Sequence, residues 1–176
     1  MPTSICMRAR AARAGRLTDE QSSFWSAVLV GIAAMAAVDE ILFHQLLGWH
    51  HFYDGASDAV GLASDGVLHA GELVALIAGF AWMIRLRGTG ALIRDYALAG
   101  FFVGAGAFQL FDGIIDHKVL RLHQIRYGVA ILPYDLAWNA FALLLLAVGA
   151  GFLVKARRGA RHERFGGGFV APARGV

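Results

Sequence analysis

The chain has 176 residues, 57% of them hydrophobic and 16% charged, and a formal net charge of +3. This balance lies outside the range of ordinary soluble domains and inside that of membrane proteins, so burial in a bilayer is the first reading. The single Cys6 excludes a disulfide framework and a thiolate metal site, and the small positive charge calls for no nucleic-acid partner.

Residues 1–17 read as a basic, disordered tail, after which Thr18 and Gln21 form a capping-box pattern that starts the first helix. The apolar stretch 22–47 follows. Its Arg-rich approach and its Ala33-Ala34-Met35-Ala36-Ala37 run also resemble a secretory leader, but the matching stretch Ala97–Phe111 is internal and cannot be one. Further apolar stretches cover 66–86, 96–118 and 134–155. Each is near the ~20 residues that cross ~30 Å of hydrocarbon as a helix, and backbone groups in lipid must bond internally. Gly100 and Gly104 place a GxxxG in the third stretch, a signal for close helix packing. Residues 156–176, basic and interrupted by Gly166, Gly167 and Gly168, read as a second disordered tail. The expected fold is all-α: an integral membrane four-helix bundle over 18–155, built from two parallel two-helix repeats at roughly 22–86 and 94–155. All Lys and Arg except Lys118, Arg121 and Arg126 fall in the tails or around Arg85, Arg87 and Arg94, which places both termini in the cytoplasm.

The repeat is carried by chemistry. Asp-x4-His-x5-His occurs as Asp39, His44, His50 and again as Asp112, His117, His123, each residue displaced by 73 positions. Ile41 matches Ile114 and Leu47 matches Leu120; a weaker echo at an offset of 70 aligns Asp65 and His69 with Asp135 and Asn139. The topology gathers these groups, and every histidine except His162, at the outer end: His44, His50 and His51 on helix 1, Asp65 and His69 opening helix 2, Asp116, His117 and His123 closing helix 3, and Asp135 opening helix 4. At 100° per residue, Asp39 lines up with His50, while His44 and His117 fall about 140° from Asp39 and Asp112. A straight helix would also put Asp39 and His50 ~16 Å apart, too far to share an ion. Either there are several centres, or Gly48 ends the helix and lets His50 and His51 fold back, with Trp49 and Tyr53 at headgroup level.

An ionisable residue inside a membrane costs about 2.5–3.5 kcal/mol on insertion scales, so it is expected to face the bundle interior and to work. Imidazoles and carboxylates together suit zinc, iron, manganese or copper(II). The candidate ligands are Asp39, His44, His50, Asp65, His69, Asp112, Asp116, His117, His123 and Asp135. Against this stand plainer readings. His50 and His123 also suit interfacial caps, Asp135 suits a helix start after Pro133, and His51, Asp54 and Asp58 suit a solvated loop. Glu40, Glu72 and Asp116 are candidate proton acceptors or ion-pair members, Glu40 standing where the second copy has Gly113.

At Asp39-x4-His44-Gln45-x3-Trp49-His50-His51, Asp65-Gly66-x2-His69 and Asp112-Gly113-x3-His117-x2-Leu120-x2-His123-x2-Arg126, the chain resembles a bacterial family of membrane proteins, domain of unknown function 2243. The likeness covers residues 24–155 and departs from the expected pattern at Glu40, where Gly is expected. It implies a multi-pass inner-membrane protein of four helices and supplies no reaction. The residues therefore carry the functional reading: a membrane metal-binding protein with its site at the periplasmic end, open to a metal-dependent oxidoreductase or hydrolase role. Its substrate is left unassigned, its partner is the bilayer, and self-association is left open. Two alternatives remain, a b-type haem protein with His44 and His117 as axial ligands and a proton or cation carrier. Against the carrier, the inner half of every helix lacks ionisable residues.

Overall fold

A computed structural model describes the backbone of residues 3–166 and the side chains of 14–161; the side chains of Cys6 and His162, and Gly167 and Gly168 altogether, lie outside this description. Helix α1 (Thr3–Asp39) runs on as a π-helix, Glu40–Leu46. Helix α2 is Asp58–Gly88, α3 (Arg94–Phe111) continues as a second π-helix, Asp112–Leu120, and α4 is Leu132–Gly166. There is no strand among the described residues. Four segments are long and apolar enough to cross a membrane: Ala14–Leu46, Asp58–Gly88, Arg94–Leu120 and Leu132–Arg161.

The helices outrun the sequence boundaries. α1 is already helical at Thr3, because the Arg- and Ala-rich segment before Thr18 is made of strong helix formers. Thr18 is therefore not a cap; mid-helix, its hydroxyl donates to the Gly15 carbonyl at 2.6 Å. α2 begins at Asp58, so Asp65 and His69 lie inside the helix instead of opening it, and α4 continues past 155 to Gly166.

α1 packs on α3, α2 lies against α1 and α4 against α3; α1 and α4, α2 and α3, and α2 and α4 do not pack on one another among the described residues. The helices thus stand as a central pair with two flanking members, leaving two open clefts. Burial follows this order, at 50% and 44% in the most apolar windows of α1 and α3 against 11% and 17% in α2 and α4. The flanking helices expose Leu73, Val74, Ile77, Leu143 and Leu144, side chains as apolar as lipid tails.

Small residues set the central contact. Ala27, Ala33, Ala97, Ala99 and Ala105 are buried between the helices. A Cβ added to Gly31 would sit 2.1 Å from the Phe101 carbonyl oxygen, and one added to Gly104 would sit 2.2 Å from that of Val28. Positions 31 and 104, like 28 and 101, differ by the repeat distance, so each helix offers its glycine to the other's backbone. This is the work of the GxxxG at Gly100 and Gly104. At the opposite end from the histidines, the Ser23 hydroxyl accepts from Ile93 N at 2.9 Å and donates to Ala91 O at 3.3 Å, tying the α2–α3 connection to α1. Glu20 is buried nearby, 3.5 Å from Arg16, so that end does hold an ionisable group.

Candidate metal centre

Two local features bring the outer polar residues together. In an α-helix, residues five apart diverge, whereas the i→i+5 bonding of a π-helix stacks them. The π-helical segments therefore bring His44 Nε2 to 3.7 Å from Asp39 Oδ2 and His117 Nε2 to 3.2 Å from Asp112 Oδ2. This corrects the α-helical phase, which set each pair about 140° apart. Then both segments turn back at one left-handed residue, Gly48 at φ 56° and Arg121 at φ 54°. The turn is closed by Trp49 N donating to Phe43 O at 2.8 Å and, 73 residues on, by Leu122 N donating to Asp116 O at 2.9 Å. Of the two routes open in the sequence, the structure takes the fold-back at Gly48.

The fold-back places His50 and His123 between His44 and His117. The His50 and His123 rings stack 4.5 Å apart at 5°; His44 lies 4.5 Å from His50, and His117 lies 4.7 Å from His123. Asp112 Oδ1 is 3.4 Å from His123 Nε2. The groups His44–His50–His123 and Asp112–His117–His123 each bring one donor atom per residue within 4.8 Å of the others. That spacing is close to what two metal–ligand bonds of ~2.0–2.2 Å span.

The outer nitrogens of these rings are braced. His50 Nδ1 donates to the Ile125 carbonyl at 3.0 Å and His123 Nδ1 to the Phe52 carbonyl at 2.9 Å. The exchange is reciprocal, since 50 and 123, and 52 and 125, are repeat partners. His44 Nδ1 donates to Asp65 Oδ1 at 3.0 Å, with Glu40 Oε2 2.8 Å away but outside hydrogen-bonding geometry. Asp65 also accepts from Phe52 N at 2.7 Å and His51 Nδ1 at 2.5 Å. A donating Nδ1 fixes the tautomer and leaves Nε2 as a lone pair. The Nε2 atoms of His44, His50, His117 and His123, with Asp39 Oδ1 and Asp112 Oδ2, are buried and have no hydrogen-bond partner.

Electrostatics set the two stacked rings apart. Burial, followed by the imidazoles of His123, His44 and His117, pushes His50 down to about 2, so it stands as a neutral donor. Burial also opposes a charge on His123, but the Asp112 carboxylate outweighs it and raises the group above its ordinary value. His51, half-buried, is raised chiefly by its hydrogen bond to Asp65.

The remaining candidates separate. Glu40 and Asp65 form a buried carboxylate pair behind His44, and Gln45 Nε2 donates to Glu40 Oε1 at 2.7 Å. Asp116 is buried on the second π-helix, one turn from Asp112. His69 is 56% exposed and pairs with Glu72 at 2.5 Å, away from the histidine cluster. Asp135, the offset-70 counterpart of Asp65, pairs with Lys118 at 2.6 Å. His51 leaves the solvated-loop reading for its Asp65 pair, while Asp54 accepts from His51 N at 3.1 Å. Sequence reasoning missed the Ile125 and Phe52 carbonyls, which carry no side-chain signal. It also missed Gln109, a buried amide in an apolar run, which a search for isolated polar residues would have found. Around the second half of the site stand aromatic rings: Trp138 lies 5.8 Å from His117 and 5.0 Å from Phe43.

No curated protein and no solved structure matches the chain. Residues 26–156 match the model of a family described as predicted membrane protein (DUF2243). With four apolar spans and a match over most of its length, this chain belongs to that family.

Proposed function

We propose that this is a multi-pass membrane metalloprotein that holds a first-row transition metal among His44, His50, His117 and His123, with Asp39 and Asp112 balancing its charge. The observation that supports the reading most directly is that four buried imidazoles turn their Nε2 atoms toward one another with only the Asp39 and Asp112 carboxylates nearby, three of the rings being braced through Nδ1. Each buried polar atom without a partner costs about 1–3 kcal/mol, and a cation held by His44, His50 and His123, or by Asp112, His117 and His123, removes that penalty for the atoms it takes. The donor set of imidazole nitrogens and carboxylate oxygens suits zinc, iron, manganese or copper(II). Such an ion, when bound, supplies Lewis-acid or redox chemistry. The protein's own part is to hold the rings by Asp65, Ile125 and Phe52 and to keep carboxylate charge nearby.

The distribution of Lys and Arg favours a periplasmic position for the site in a bacterial inner membrane. The haem alternative loses support because the stacked rings of His50 and His123 fill the space a macrocycle would take between His44 and His117. Elemental analysis of detergent-purified protein tests the proposal. Stoichiometric metal in the native chain, lost in the His44→Ala/His117→Ala double variant, is the expected result; equal content in both ends it.

A further inference from the structure

α1 and α4 do not pack on each other, and the gap between them is a cavity of ≈ 400 Å³ beside the histidine cluster. Its walls are the rings of Phe43, Trp49, Tyr134, Trp138 and Phe141. Four aliphatic side chains and Ala137 complete the apolar lining, and besides the Tyr134 hydroxyl, held by Arg126, and the Trp138 indole N–H, the polar side chain on it is that of Gln109. Gln109 is 2% exposed, and its Oε1 has no hydrogen-bond partner. Val38, Leu42 and Phe141 on the lips are more than two-fifths exposed, on the apolar flank of two membrane-crossing segments. Above the cavity, Arg126 lies 4.7 Å over the Trp49 ring and donates to the Tyr134 hydroxyl at 2.8 Å, closing the aqueous side.

A buried amide without a partner is a standing cost of about 1–3 kcal/mol that a ligand's polar group removes. A primary amide carries both acceptor and donors, so a hydroxyl pairs with it in either rotamer, whereas an ether or a hydrocarbon does not. Aromatic walls favour a ring, whose faces and edges they meet in offset or edge-on geometry. The volume lies in the range of small-molecule pockets. The lips face the region occupied by lipid tails, which selects a ligand dissolved in the bilayer.

We propose that this cleft binds a lipid-soluble phenol or quinol, with the ring among the aromatic walls, a ring hydroxyl on Gln109 and the alkyl tail passing between α1 and α4 into the membrane. Among the described residues repeat one lacks the matching polar group, since Ala36 stands where repeat two has Gln109, and acids Glu40 and Asp65 flank His44 where the second copy has Gly113 and Trp138 near His117. The site stands on the cavity, its aromatic walls and Gln109, so it is independent of whether an ion is held.

The test uses full-length protein in lipid nanodiscs with Trp25→Phe and Trp82→Phe, which leaves Trp49 and Trp138 as the only indoles. A decyl-substituted benzoquinol is titrated against their fluorescence, with decylbenzene as the comparator lacking hydroxyls. Saturable quenching by the quinol alone is expected, at least tenfold weaker in Gln109→Leu and abolished in Ala137→Phe, which fills the cleft from α4. Far-UV circular dichroism and metal content, unchanged in both variants, keep folding and the neighbouring centre out of the comparison; should Gln109→Leu fail to fold, the decylbenzene comparison in the unaltered cleft decides. Equal binding of decylbenzene, equal affinity in Gln109→Leu, or no saturable quenching at all overturns the proposal.

Discussion

Asp65 braces both halves of the candidate centre, and its removal tests the architecture. It accepts from His44 Nδ1 at 3.0 Å and from Phe52 N at 2.7 Å, and the Phe52 carbonyl in turn takes His123 Nδ1 at 2.9 Å. One carboxylate therefore orients a donor from each half, the first directly and the second through one residue of backbone. Asp65→Ala strands the buried His44 donor and the part-buried Phe52 amide. At about 1–3 kcal/mol for each unsatisfied group, the loss is roughly 2–6 kcal/mol, while half-exposed His51 turns to water. Asp65→Asn keeps an acceptor but replaces the second oxygen by a donor facing His51 or His44, and loss of such a supporting partner costs about 10–100-fold in metal affinity. The control is Asp135→Asn, whose pair with Lys118 is 39% exposed on the lysine side and contributes at most about 1 kcal/mol. Thermal unfolding in detergent and chelator competition measure the two effects. Unchanged affinity and melting in Asp65→Asn, or an equal loss in Asp135→Asn, refutes the reasoning.

Two further predictions concern the scaffold. Arg121 adopts φ 54° where the first repeat has Gly48; a left-handed non-glycine residue costs about 1–2 kcal/mol, of which glycine's greater unfolded freedom takes back part. Arg121→Gly therefore raises stability by up to about 1 kcal/mol, read as a higher melting temperature, and a lowered one contradicts this. Gly104→Leu has no room, because its Cβ would meet the Val28 carbonyl oxygen at 2.2 Å. α1 and α3 must separate, and the variant is expected to lose cooperative unfolding and, with it, the joint histidine cluster; a native-like melt shows that the contact is not needed.

The helices were legible because bilayer thickness and backbone bonding leave few alternatives, and the displacement from Asp39 to Asp112 exposed the repeated chemistry before any coordinates. The gathering of His44, His50, His117 and His123 was legible only as a shared end of the molecule. Their approach depends on π-helical turns, and helix type is set by packing that no local pattern of residues encodes. Thr18 shows the same limit from the other side: its capping pattern is real, but the segment before it is helical on its own propensity. His69 sits one turn from Asp65 and Asp135 is Asp65's echo, yet their side chains turn to Glu72 and Lys118. Which neighbour a side chain meets is fixed by the offset arrangement of α2 and α4, which spacing alone does not reveal.

His50 leans on Ile125 and His123 leans on Phe52, each imidazole borrowing its acceptor from the opposite hairpin. A hairpin by itself would have the ring but not the strut. A chain cut between Arg87 and Arg94 is expected to hold no metal until its two fragments meet again in the same bilayer.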